Sequence, residues 1–528
     1  MLASNDTRWI KLCWLLIGAG ALARFFYAQS FLLVPDETNY WQWARHLDWG
    51  YHDQAPLIAW AIHLTTWLFG QTEAAVRLPS IIALTIASVY IVSLAKRWLS
   101  ARLAWQATLL GQSILLFNIG ALLATPDGIQ AAAWAGASYH AARAFEDNQW
   151  RHWLLGGVWF GLGMLSKFTM VLFLPCILAY ALFTNIHRQR MAGVRPYLGC
   201  AFGVAMFVPV IVWNAAHHWN SVRHVAYIGG ANQGFVLHPN LLIEYLGSQA
   251  ALLTPLVFLI VCAGWFKAIR GRYSKEEWVS RYLFFTSFPV IAGFGILSLH
   301  SRVYGNWPGV GYVTAVLLAT TFFSSSNNSA TEEYASSIGS TREIWKWTVG
   351  SSYLLTALLL GHVLFGFLPV PAHLDRAADE IQGWDLLGQR VGQIRAEMPN
   401  QNSLFLFGLH YQIASELAFY VPGQPYTVSI NRWTRPNVYD YWWQDKDLLG
   451  YDAVGVHFDD HSRERLLEVF ERVDAPEAFN IFRSNLWDSA AAKKTPFKTL
   501  YIYRCYGFKG GLRWVPPANS VDVRATAP

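Results

Sequence analysis

The chain has 528 residues and a formal net charge of +6, and it is 54% hydrophobic but only 14% charged. A soluble globular protein of this length would carry roughly 25% charged residues, so a wholly soluble globule is excluded. The positive charge does not imply nucleic acid, because the basic residues sit in short clusters between apolar runs, as membrane topology requires.

Runs of about 17–25 apolar residues are long enough to cross the hydrocarbon core. They occur near residues 9–33, 74–95, 103–124, 129–145, 153–167, 169–186, 197–215, 241–266, 282–299, 307–323 and 345–368. The pattern predicts a polytopic α-helical membrane protein with about eleven transmembrane helices. The first run is too long for the apolar core of a cleaved signal and reads as a retained signal anchor. Residues 57–69 are apolar but too short to span, and predict a helix lying in the interface. The 26 tryptophans suit interfacial anchoring, with some available for stacking on sugars.

Basic clusters follow the second run (Lys96, Arg97, Arg102), the sixth (Arg188, Arg190, Arg195) and the eighth (Lys267, Arg270, Arg272, Lys275, Arg281). By the positive-inside rule the N-terminus is cytoplasmic and residues 34–72 face outward; an odd number of spans puts the C-terminus outside as well. The Ser/Asn-rich stretch 324–341 reads as a flexible cytoplasmic linker. After about residue 372 charge rises and apolar runs shorten. Residues 403–408, 453–458 and 499–504 predict strands, and 376–397 and 462–472 predict helices. The expected organisation is a membrane part with outer loops over 1–371 and a small periplasmic α/β domain over 372–528. The cysteines show neither metal-ligand spacing nor an obvious disulfide pair.

The densest chemistry follows the first run. Asp36 and Glu37 emerge at a membrane boundary and open an aromatic, amphipathic stretch that reaches His52, Asp53 and Pro56. Ionisable groups held there are costly to desolvate, so they are usually paired or used. The topology puts three further clusters on the same outer side: Thr125-Pro126-Asp127, Ser166-Lys167-Phe168, and Arg302 through Pro308. Each has a plainer reading. Asp36 suits a helix cap, Asp127 a turn, Lys167 a snorkelling interface residue, and Arg302 a solvated loop charge. Acids and bases converging on one membrane face are harder to explain that way.

The same residues carry a family resemblance. The segments Asp36-Glu37-Thr38-Asn39-Tyr40-Trp41, Gly50-Tyr51-His52-Asp53-Gln54-Ala55-Pro56-Leu57 and Arg77-Leu78-Pro79 resemble the first outer loop of bacterial family-39-type glycosyltransferases. These belong to the C-type superfamily, with the protein O-mannosyltransferases and the lipid A aminoarabinose transferase. Thr125-Pro126-Asp127, Gly161 to Phe168, Trp213-Asn214 with Trp219, Asn306-Trp307-Pro308 and Ala414 to Tyr420 follow in order. Ala55 departs from the usual Pro-Pro-Leu, and Gly128-Ile129 from the usual Ala-Pro after the second acid.

The resemblance implies transfer of a sugar from a polyprenyl-phosphate carrier to an acceptor at the outer face of the bacterial inner membrane, with inversion of the anomeric centre. Such chemistry needs a base for the acceptor hydroxyl and a cation for the departing phosphate. The expected base is Asp36. Lys167 and Arg302 are expected at the donor phosphate, and Glu37 and Asp127 are expected to position acceptor or sugar. Tyr40, His52, Asp53, Asn306 and Trp307 are further substrate-positioning candidates. The resemblance fixes no cofactor and leaves a divalent metal open. Lipid A or another surface glycan is the expected acceptor. A protein O-glycosyltransferase or an oligosaccharyltransferase with a pyrophosphate-linked donor is the nearest alternative, and a lipid-linked sugar flippase the alternative of another class. The tail after residue 372 is expected to shape acceptor access without supplying a catalytic group.

Overall fold

A computed structural model of the chain describes residues 2–231, 234, 236–270, 278–323, 332–371, 374–482 and 496–515. Helix α1 (Leu2–Tyr27) leads through a short loop to α2 (Pro35–Arg45) and to the 13-residue apolar helix α3 (Leu57–Phe69). Helix α4 (Glu73–Trp98) follows. The run expected at 103–124 divides into α5 (Ala101–Ser113) and α6 (Leu115–Leu122), because Ile114 between them is extended. Then come α7 (Pro126–Asp147), α8 (Trp150–Ser166), α9 (Phe173–Phe183), α10 (Asn185–Arg188), α11 (Arg195–Ala216) and α12 (Asn220–Ile228). The run at 241–266 is α13 (Pro239–Leu253) and α14 (Pro255–Arg270), bent by 106°. Helices α15 (Trp278–Phe285), α16 (Phe288–Ser298), α17 (Gly311–Phe322) and α18 (Glu332–Phe365) complete the bundle.

Among the described residues, five helices are long and apolar enough to cross a membrane, or up to seven if each of two bent pairs is one span. Each run read as a span is helical, but breaks and bends leave several segments shorter than a crossing. Of the expected linker, 324–331 lie outside the described residues, and the chain is helical from Glu332. Arg272 and Lys275 also lie outside them.

Apolar side chains such as Leu22, Phe26, Phe202, Val212 and Leu354 face outward, while a continuous core fills the bundle. Lipid is the solvent that suits such a surface, since helices satisfy their own backbone groups. Helices α8 and α11 meet backbone to backbone. A Cβ on Gly157 would lie 2.0 Å from the Gly199 carbonyl oxygen, and one on Gly203 would lie 2.5 Å from that of Gly157. Small residues four apart allow such an approach.

The C-terminal part is a mixed sheet with helices against it. Strands β1 (Leu404–Gly408), β2 (Thr427–Ser429) and β3 (Asp452–His457) are parallel, and β6 (Lys498–Phe508) runs antiparallel to β3. The order is β2-β1-β3-β6-β4, with β4 (Phe470–Val473), while β5 (Glu477–Ile481) also pairs with β6. The three strands read from the sequence are thus β1, β3 and the middle of β6. Strand β1 is apolar throughout because both faces are covered. Phe405 and Phe407 join a core with Phe470 and Phe508. Leu406 joins Trp384, Leu387, Val391 and Ile413 on the other face.

Two helix expectations are corrected here. The segment 376–397 is two helices, α19 (Arg376–Ile381) and α20 (Trp384–Glu397), broken at Gly383 with φ +85°. The helix at 462–472 ends early as α22 (Arg463–Val469), after which the chain enters β4. Helix α21 (Tyr411–Tyr420) packs on the bundle, where Ala418 and Phe419 share a core with Leu33, Trp41, Ile58 and Val76.

One buried ion pair joins these elements. Arg77 and Glu37 are both fully buried, 2.6 Å apart. Glu37 also accepts from the backbone N–H groups of Val34 and Ala124. Arg77 donates to the carbonyls of Ala28, Phe31 and Leu32. Removing one partner of such a pair strands a buried charge. Arg77→Met is expected to destabilise the protein by about 3–5 kcal/mol, read as a lower midpoint of thermal unfolding in detergent; an unchanged midpoint would contradict this role.

Candidate functional site

A cavity of about 620 Å³ opens where the loop ends of the bundle meet the sheet. Its bundle wall carries Asp36, Tyr40, Asp53, Asp127, Lys167, Asn306 and Trp307, all singled out from the sequence. Residues from five separate stretches therefore meet in one space.

Helix α2 begins at Pro35, whose fixed φ suits a first helical position. The cap is not Asp36. Glu37 reaches back to the Val34 N–H at 3.0 Å, which leaves the adjacent carboxylate free. Asp36 is exposed to the cavity, and among the described residues no hydrogen bond or ion pair involves its side chain. The walls still displace much of the bulk water around it. Burial pushes its pKa up to about 6, Glu380, Asp53 and Glu37 add to the shift, and Arg435 opposes it.

Asp127 opens α7 after Pro126, and Lys167 stands where α8 gives way to a short 3₁₀ turn. Lys167 Nζ lies 2.8 Å from Asp127 Oδ1, and Asn306 Nδ2 donates to Oδ2 at 3.3 Å. The lysine side chain is only 10% exposed. Its ammonium sits at the cavity wall with one carboxylate to neutralise it.

Asp53 is the centre of a second cluster. His224 Nε2 lies 3.1 Å from its Oδ1, and Arg435 approaches the same oxygen at 3.4 Å. Burial works to raise the Asp53 pKa, but His224, His52 and Arg435 together hold it below the usual carboxylate value. Burial pushes His52 down to about 4, so it is neutral at pH 7. His52, Asp53 and His224 bring one ligand atom each within 4.8 Å of one another. A carboxylate with two uncharged imidazoles suits a divalent ion such as zinc.

The structure does not bring every candidate to the cavity. Glu37 is fully buried in the Arg77 pair and is not among its walls. Arg302 is two-thirds exposed, pairs with Glu244 at 2.5 Å, and lies outside the cavity lining. His52 sits behind Asp53, with Nδ1 3.2 Å from the Tyr441 hydroxyl.

The opposite wall holds none of the site residues named from the sequence. His410, Tyr411 and Gln412 follow β1, Arg435 follows β2, and Phe458 follows β3. These are the carboxyl ends of the parallel strands, where open α/β sheets present their ligand-binding crevice. The antiparallel register places Lys498, at the start of β6, on the same edge. The tail therefore contributes charged groups to the cavity. Parallel pairing was the missing signal, since strands alone do not say which edge faces the membrane.

A helical bundle with apolar outer faces thus carries an acid- and lysine-lined cavity at one end, and an α/β layer closes it. Residues 53–213 match the family described as Dolichyl-phosphate-mannose-protein mannosyltransferase. The chain is 26% identical over 293 residues to lipid A galacturonosyltransferase RgtD of Rhizobium johnstonii, covering 54% of this chain and 59% of that protein. It is 30% identical over 191 residues to the undecaprenyl phosphate-alpha-4-amino-4-deoxy-L-arabinose arabinosyl transferase of Yersinia enterocolitica, covering 31% of this chain and 34% of that one. The chain thus matches less than two thirds of the length of either relative. In fold it is similar to ArnT from Cupriavidus metallidurans, with a TM-score of 0.60 at 14% identity, covering 94% of this chain and 98% of that one. It is also similar to the oligosaccharyltransferase AglB from Archaeoglobus fulgidus, with a TM-score of 0.54 at 12% identity, covering 86% and 70%. The resemblance to C-type glycosyltransferases read from the sequence is borne out in sequence and in fold.

Carbodiimide labelling of Asp36, followed by mass spectrometry, gives a direct check on the electrostatics, because only the protonated acid reacts. Half-labelling is expected near pH 6, and Arg435→Gln, which removes a stabilising cation, is expected to move it upward. A midpoint near the ordinary aspartate value would contradict the enclosure described here.

Proposed function

We propose that the chain is an integral-membrane glycosyltransferase. It moves a sugar from a polyprenyl-phosphate carrier to lipid A or another surface glycan, by inverting displacement. The observation that carries this reading is Asp36, with no ion pair among the described residues, sharing a cavity with a buried lysine that is held by a carboxylate. The relatives support it by name, one as a lipid A galacturonosyltransferase and one as an arabinosyl transferase using undecaprenyl phosphate. One ArnT structure is described as bound to undecaprenyl phosphate.

In this reading Asp36 takes the proton of the acceptor hydroxyl. The resulting oxygen attacks the anomeric carbon from the face opposite the phosphate. The carbon–oxygen bond to the carrier phosphate breaks and its electron pair leaves with the phosphate. Lys167 turns from Asp127 to that phosphate and neutralises the developing charge. Asp127 and Asn306 are then free to hold sugar hydroxyls, and Tyr40 and Trp307 supply walls for the ring. Glu37 serves by fixing α2, and Arg302 has no role in the chemistry. A divalent ion held by His52, Asp53 and His224 would add Lewis-acid help at the phosphate.

Asp36→Asn is expected to cut turnover by roughly 10²–10⁴-fold while leaving donor binding intact. The wild-type rate is expected to fall as pH drops through about 6, the value at which Asp36 gains its proton. Near-normal transfer to a hydroxyl acceptor by the purified variant would remove Asp36 from the base role.

The orientation belongs to the same proposal. In this reading the cavity and the α/β part after residue 372 face the periplasmic side of the inner membrane. Helix α7 supports this. It runs 22 residues, about 33 Å at 1.5 Å per residue, from Asp127 at the cavity to Asp147. At that far end Arg97, from the first basic cluster, pairs with Glu146 at 2.7 Å. Cysteines at the exposed position 446 are expected to react with a membrane-impermeant reagent in outer-permeabilised cells, and those at 190 are not. The reverse pattern would invert the orientation.

A further inference from the structure

We propose that Arg376 and Lys498 form a subsite for a phosphate monoester carried by the acceptor. This rests on the transferase reading above and names the acceptor chemistry for it. Both residues line the cavity on the side of the C-terminal part. Lys498 is a buried cation, with a side chain only 9% exposed. Its ammonium lies 4.1 Å from the centre of the Trp384 ring and donates to the Asp379 carbonyl at 2.9 Å. It is therefore held in place by an aromatic face and a backbone oxygen.

The counter-ions are held differently. The Asp379 carboxylate is 56% exposed and 3.5 Å from Lys498. Arg376 pairs with Glu380 at 3.6 Å, and their side chains are 86% and 43% exposed. Ion pairs this open to water are weak. An entering phosphate replaces two mobile carboxylates and keeps both cations, and a charge-assisted bond to phosphate is stronger than either surface pair. The other cations of the cavity are less free, since Lys167 and Arg435 face the less exposed Asp127 and Asp53. Asp36 sets the direction for the acceptor: beside its carboxylate an uncharged hydroxyl meets less repulsion than an anion would. An acceptor bearing both groups would lie with its phosphate on the sheet and its nucleophile at Asp36. A cavity of about 620 Å³ has room for a sugar-phosphate headgroup.

The test uses the full chain purified in detergent, without donor. The probes are bisphosphorylated lipid A, the same lipid after enzymatic dephosphorylation, and inorganic phosphate. Arg376→Gln changes an exposed residue and leaves the core alone. It is expected to weaken binding of the bisphosphorylated lipid roughly tenfold, as is Lys498→Gln, whereas Lys498→Arg retains binding. The dephosphorylated lipid is expected to bind weakly and equally to all variants. Unchanged affinity in Arg376→Gln, or equal losses with both lipids, would overturn the subsite. Displacement of the lipid by inorganic phosphate at the same concentration would assign the site to free phosphate and overturn the headgroup assignment. Wild-type protein that binds the phosphorylated lipid but transfers no polyprenyl-phosphate-linked sugar to it would contradict the transferase reading and leave the subsite standing.

Discussion

The Glu37–Arg77 pair is the constraint on which the site depends. Its carboxylate caps α2, holds the backbone at Ala124 and neutralises a guanidinium tied to the end of α1. Two of the three carboxylates on the bundle wall take their position from it. Asp36 precedes Glu37 by one residue, and a helix turns about 100° per residue, so anchoring one side chain in the protein directs its neighbour into the cavity. Asp127 lies three residues beyond Ala124 and is set by the same anchor. Two charges fully removed from water are costly unless every lone pair and N–H is satisfied, and here the backbone of three segments satisfies them.

The cavity is a joint product of two kinds of structure. The bundle brings loop ends together at one membrane face, and the sheet turns the carboxyl ends of its parallel strands toward them. Helix α21 seals the joint. Its Tyr420 hydroxyl accepts from the Leu33 N–H at 2.7 Å, and Glu416 accepts from Thr38 at 3.2 Å. Burial raises the Glu416 pKa well above the usual carboxylate value. Charges inside the cavity are largely matched, with Lys167 on Asp127, Arg435 on Asp53, Arg376 on Glu380 and Lys498 on Asp379. Asp36 is left over, and a carboxylate with no cation of its own is the group best placed to accept a proton.

Hydropathy and loop charge made the helical runs legible, together with the face on which Asp36, Asp127, Lys167 and Asn306 meet. Local sequence could not separate Asp36 from Glu37. The two acids are adjacent, and only the position of Arg77, forty residues away, decides which is locked and which is free. Arg302 read like Lys167, a cation at the end of an apolar run, but Glu244 draws it to the outside. His224, Arg435 and Lys498 had no local motif at all. They reach the cavity through strand order and register, which depend on pairing between distant segments. The break at Gly383 was visible as a glycine, but its need for positive φ against Ile481 was not.

A structure of the full chain with a polyprenyl phosphate bound tests the central claim most directly. The account predicts that the phosphate lies on Lys167, with Asp127 displaced from the ammonium and Asp36 facing the same space. A phosphate seated elsewhere, with the Lys167–Asp127 pair intact, would contradict it.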